Sequence, residues 1–248
     1  RARAEGDRDP RLPRRLRGLR TEAFSGGMSG MKMIVVFSIK DRLKYIGHLD
    51  LMRAMQRALR RSGLPVRYSQ GFNPHLQISF AAPLSVGMEG LREVMEVPYD
   101  GDIRPDEFIG RLNDALPPLI RCISARPVDE SHAAPMALLA AANFEIRPLE
   151  QGEAFCAALP DLLAQDSIMA MRKTKKGMVE TDRRPLIYNA FIKDGAVKAL
   201  LALSTTGTCK PDLFIRALSE KAGLQEPVPC QVTREALYNP AFVPLEEA

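Results

Sequence analysis

The sequence predicts an α+β fold of two tandem ferredoxin-like (βαββαβ) units, with helices laid over antiparallel sheets. Three observations predict it. Residues 31–128 run through β-branched and helical stretches in the order β-α-β-β-α-β, and the same order returns after residues 129–141. In the second unit an Asp194-Gly195 pair separates two apolar runs, a strong hairpin signal.

In the first unit KMIVVFSI, from Lys32, is a β-branched run bounded by polar KDRLK, hence a strand. From His48 to Arg61 a helix is expected with Leu49, Met52, Met55 and Leu59 on one face, stopped by Gly63 and Pro65. PVRYS reads as a strand, QGFNPH as a loop, and LQISFAAPL as an extended segment leading through VGMEG into the strand LREVMEVPY. A second helix starts at Pro105 with acidic Asp106 and Glu107 and stops before Pro117 and Pro118; LIRCISARPV closes the unit. In the second unit ANFEIRP is a strand, GEAFCAALPDLLAQ a helix, SIMAMRKTK a strand, and RPLIYNAFIK with AVKALLALS a hairpin. PDLFIRALSEKAG is then a helix and PCQVTREALY the last strand. The boundaries that follow are a disordered basic leader at 1–30, units at 31–128 and 142–240, a linker at 129–141 and a tail at 241–248.

The 248 residues suffice for one large domain or two small ones, and no window approaches 18 uninterrupted apolar residues, so no membrane partner is expected. The pI of about 9.1 suggests nucleic acid until the charge is located. Residues 1–22 hold eight Arg against four acids, and the remainder carries only +1 of the formal +5. The global charge therefore says little about partners. Cys122, Cys156, Cys209 and Cys230 stand singly without CxxC or histidine at ligand spacing, which argues against a zinc module and for reduced thiols in a cytoplasmic protein. No CxxxCxxC triplet is present to hold an iron–sulfur cluster.

Local charge is more informative. Arg53, Arg57, Arg60 and Arg61 share the polar side of the first helix with only Asp50 nearby, a spacing that suits two or three backbone phosphates. A solvated surface with snorkelling stems is the alternative. Gly71 and Asn73-Pro74 shape a turn that presents the rings of Tyr68, Phe72 and His75 beside the Asn73 amide; the rings either stack on bases, or Phe72 and Tyr68 pack into the core. His48 and His75 are candidates for acid–base work in RNA cleavage, for binding a metal together with Asp50, or for ordinary backbone-bonded roles. Arg172, Lys173, Lys175 and Lys176 crowd a turn that either grips a polyanion or is a solvated hairpin tip.

The stretch from Lys44 to Leu91, KYIGHLDLMRAMQRALRRSGLPVRYSQGFNPHLQISFAAPLSVGMEGL, closely resembles the signature of the radical SAM-linked protein family, also called DUF2344, and TKKGMVETDRRPLI resembles its second block. The likeness covers about residues 31–240. It departs from the family's usual residues at Gly47, Gln70, Leu76, Gln77 and Gly90, and keeps His48-Leu49-Asp50 and Gly71 to His75. The resemblance implies work beside a radical SAM protein, in RNA modification or translation, and supports those retained positions as a site. The expectation is a non-catalytic RNA-binding or substrate-presenting accessory module for tRNA or rRNA. It would have no cofactor of its own, the iron–sulfur cluster and S-adenosylmethionine belonging to the partner. The alternatives are a metal-independent endoribonuclease using His48 and His75, and a protein-binding adaptor for the radical SAM partner.

Overall fold

A computed structural model describes residues 30–174 and 177–248. The first half contains β1 (Met31–Ile39), α1 (His48–Ser62), β2 (Ser79–Phe80), β3 (Glu89–Tyr99), α2 (Pro105–Ala115) and β4 (Ile120–Asp129). A one-turn helix, α3 (Pro135–Leu138), precedes the second half. That half contains β5 (Ala141–Pro148), α4 (Gly152–Ala157), α5 (Leu159–Leu163), β6 (Met169–Thr174), β7 (Gly177–Asp182), β8 (Ile187–Lys193), β9 (Ala196–Ala202), α6 (Pro211–Lys221) and β10 (Cys230–Tyr238).

The fold is mixed, with one large and mostly antiparallel sheet. Two separate sheets were expected; instead one sheet runs β4-β1-β3-β10-β5-β9-β8, with β2 on β3. The cause lies at the outer edge of β3. Of the long extended segment expected at 76–84, only Ser79 and Phe80 form a strand, opposite Glu96 and Met95. The predicted PVRYS strand is reduced to bridges from Val66 to Tyr99 and Tyr68 to Leu76. The start of β3 is thus left open, and β10 pairs there in parallel, Thr233 and Arg234 against Glu89 and Gly90.

A buried ion pair fastens this seam. Arg234 meets Glu93 through Nε–Oε1 at 2.8 Å and Nη2–Oε2 at 2.5 Å, both side chains 4% exposed. Its Nη2 and Nη1 also donate to the carbonyls of Ala82 and Pro83. Every buried charge there has a partner, the condition under which such a pair is tolerated in a core.

All helices of two or more turns cover one face. Phe37, Met95, Phe108, Phe144, Phe155 and Phe214 pack beneath them as a continuous core. On the opposite face of the first half, Lys32, Glu96 and Arg126 project instead. Lys32 Nζ donates to the carbonyl of His132, and Arg126 donates to the carbonyls of Glu246 and Ala248. The segments expected as linker and tail therefore lie over this face, and Leu245 is buried.

Two further differences have local causes. The helix expected at 152–165 is broken into α4 and α5, with Pro160 in the first turn of α5 where its missing N–H costs nothing. SIMAMRKTK does not join the main sheet: β6 pairs only with β7, a strand that Gly177 and its acidic residues concealed in the sequence. Asp182 closes the base of this hairpin by accepting the N–H groups of Ile168 and Arg184, which hold its carboxyl below the usual carboxylate range.

Candidate nucleic-acid interface

Helix α1 buries Leu51, Met55, Ala58 and Leu59, whereas Leu49, expected on that face, points to solvent. Burying three such long side chains contributes roughly 1.5–3 kcal/mol each, ample to fix the helix's rotation about its axis. Gly63, at φ 63°, ends the helix in the left-handed conformation that glycine adopts without Cβ strain. This rotation sends all four predicted arginines outward.

Their partners divide them. Arg53 Nη1 lies 3.1 Å from Asp50 Oδ1, one turn earlier. Arg61 Nη2 donates at 2.6 Å to the carbonyl of Ala115, while Arg111 from α2 donates to the carbonyls of Ser62 and Gly63. Each helix thus lends a guanidinium to the other's C-terminal carbonyls, where a cation is favoured. Arg57 and Arg60 are exposed and have no hydrogen bond or ion pair among the described residues.

The loop after α1 is a clamped protrusion. At its base Arg67 is held between Asp100 and Glu130, at 3.2 and 2.7 Å, and Gln77 N donates to the Arg67 carbonyl. One level up, Ser69 N donates to the His75 carbonyl at 2.8 Å and His75 N to Ser69 Oγ at 3.1 Å. The same Oγ lies 2.8 Å from His75 Nδ1. Leu76 is buried beneath, and Gly71, at φ 121°, makes the bend at the tip. Above the clamp Phe72 is fully exposed, with Asn73 also in solvent and Tyr68 40% exposed. The packing of Phe72 into the core, one of the two fates open to it from sequence, does not occur.

The two candidate histidines have different partners. His75 belongs to the Ser69 clamp, whereas His48 sets its ring edge-on to Phe80 at 5.5 Å, and Phe80 in turn meets Phe37 at 5.7 Å. His48 Nδ1 is buried without a hydrogen-bond partner. No hydrogen bond or ion pair joins the four arginines to Tyr68, Phe72 or His75 among the described residues. Arg61 reaches to the end of α2, and His48 contacts Phe80 of β2. Sequence reasoning missed Arg67, whose acidic partners lie 33 and 63 residues away, and the exposed Tyr45, its ring 5.5 Å from Lys44 Nζ.

Of the predicted basic turn, Lys175 and Lys176 fall outside the described residues. Arg172 and Lys173 lie on β6, paired with Val179 and Met178. Among the described residues no three His, Cys, Asp or Glu side chains group as a metal site, and no helix is long and apolar enough to cross a membrane. The thiols are ill suited to nucleophilic work: burial pushes Cys122 up to about 12 and both Cys209 and Cys230 up to about 11.

No curated protein matches the chain. The model of a family described as an uncharacterized protein conserved in bacteria (DUF2344) matches residues 32–211, which include α1, the clamped loop and the β6–β7 hairpin. With most of its length in that match, the chain belongs to the DUF2344 family.

Proposed function

We propose that this protein is a non-catalytic RNA-binding accessory module that presents a tRNA or rRNA substrate to a separate radical SAM enzyme. The observation that carries the reading is Phe72, an aromatic ring held in water by a loop whose hydrogen bonds leave it little freedom. A ring presented at low entropic cost suits stacking on an unpaired base, and Tyr68 stands beside it as a second platform. Arg57 and Arg60 supply uncommitted guanidinia for phosphates, so that a strand touching both features would wrap over α1. The iron–sulfur cluster and S-adenosylmethionine would reside in the partner, and the setting would be cytoplasmic. The arrangement also supports reading each half as a ferredoxin-like unit, since β4-β1-β3-β2 and β10-β5-β9-β8 repeat one strand order.

Titration of the purified protein with single-stranded rRNA fragments tests the reading. Phe72→Ala is expected to weaken binding about tenfold, the loss of one stacked base, with an unchanged melting temperature. Equal affinity of the variant and the wild type would remove the loop from the mechanism.

A further inference from the structure

The face of the sheet opposite the helices is covered in the first half but open in the second. There a recess of about 220 Å³ is lined by Asn143, Asn189, Phe191, Leu200, Tyr238 and Phe242. Its floor is one cross-strand row: Leu200 of β9 pairs with Asn189 of β8 on one side and Asn143 of β5 on the other. Two strand spacings place the asparagines about 10 Å apart across an apolar centre. Neither amide makes a hydrogen bond among the described residues, although each carries two donors and an acceptor.

The walls are aromatic and held in place. Phe191 is 51% exposed, and Phe242 leans edge-on against Tyr188 with ring centroids 5.5 Å apart. Phe242 sits at φ 58°, a costly conformation for a bulky residue. The Asn239 side chain holds that turn by accepting the N–H groups of Ala241 and Val243, at 2.9 and 3.0 Å. Backbone strain is thus maintained at the residue that completes the recess.

Flat walls, an apolar floor and two free amides match a planar heterocycle with a hydrogen-bonding edge. Cations on this face differ in availability. Lys198 is neutralised by Glu145 and Glu235 at 2.6 and 2.5 Å. Lys193, two residues along β8 from Phe191 and so about 7 Å away on the same face, has no partner among the described residues.

We propose that this recess binds one unpaired nucleobase of RNA, stacked on Phe191 and read at its edge by Asn143 and Asn189, with the adjoining phosphate on Lys193. The proposal rests on the RNA reading above but places a second contact on the opposite side of the sheet from α1.

Fluorescence anisotropy with labelled decamers of U, A and C, and with an abasic ribose-phosphate decamer, tests it on wild type, Phe191→Ala, Asn189→Ala and Phe72→Ala. Phe191 and Asn189 are exposed, so matching melting temperatures are expected for their variants. Phe191→Ala should weaken the base-bearing decamers at least about fivefold and leave the abasic one unchanged. Asn189→Ala should alter the order of preference among U, A and C. Equal binding by Phe191→Ala and wild type, while Phe72→Ala binds less, overturns the recess and leaves the RNA reading standing. A wild type that binds none of the decamers overturns both. A wild-type dimer in sedimentation that Phe191→Ala splits, with RNA affinity unaltered, identifies the face as a contact between copies and also overturns the proposal.

Discussion

Ser69 shows how much one side chain can do. Its hydroxyl accepts from the His75 N–H and meets the His75 ring, so both strands of the loop neck are tied through one oxygen. Ser69→Ala removes both bonds, and a destabilisation of about 1–2 kcal/mol is expected in chemical denaturation, with RNA affinity falling in the same variant. The cysteines give a second expectation. Held up to about 12 and 11 by burial, Cys122 and Cys209 should stay unmodified by iodoacetamide at pH 7.5 in the folded protein and react fully in denaturant, as mass spectrometry would reveal. Labelling of either in the native state would contradict their burial. Arg67 marks a limit of sequence reading. Its role as anchor of the loop depends on carboxylates brought from Asp100 and Glu130 by β3 and β4, which no local pattern announces.

At the scale of elements, periodicity and turn chemistry carried most of the reading. The 3.6-residue spacing and Gly63 located α1, Pro105 opened α2, and Asp194-Gly195 joined β8 to β9. Pairing was less legible. Ser79–Phe80 looked like part of a long strand because its apolar neighbours Leu76, Ala81 and Ala82 are buried by tertiary packing, not by a ladder. Of the β6–β7 hairpin only the first strand is legible, as SIMAMRKTK, because Glu180 and Asp182 break the apolar pattern of Met178 and Val179 in the second. On the open face, Lys198 between Glu145 and Glu235 makes a testable element. The Lys198 hydrogen bond holds the Glu145 carboxyl below its ordinary value. For Lys198, burial acts against the charge, but the hydrogen bonds to Glu145 and Glu235 outweigh it and raise the ammonium above its usual 10.5. The depressed carboxyl stabilises the fold above the ordinary carboxylate range and loses that effect as pH falls through its lowered value. The raised ammonium stabilises it below 10.5 and loses the effect as pH rises through its raised value. Lys198→Met should therefore lower the unfolding free energy, measured by denaturant titration across pH, most between those limits, by no more than about 1 kcal/mol at this partly exposed site, and progressively less toward either extreme.

For the whole molecule, the decisive feature is that β10 closes against β3, making one sheet from two halves. The parallel ladder there is short, so Glu93–Arg234 carries much of the coupling. Glu93→Ala, which strands the Arg234 charge in the core, should cost about 3–5 kcal/mol and split one calorimetric transition into two. A single sharp transition in the variant would place the coupling elsewhere. The same sheet sets the two proposed RNA contacts on its opposite faces, α1 on one and the Phe191 recess on the other. The most direct test of RNA binding at α1 is the salt dependence of affinity for a single-stranded decamer, in wild type and in an Arg57→Gln/Arg60→Gln double variant. Two lost phosphate contacts should shrink the log–log slope by about 1.4. Identical slopes and identical affinities would show that these guanidinia touch no phosphate and would contradict RNA binding across α1.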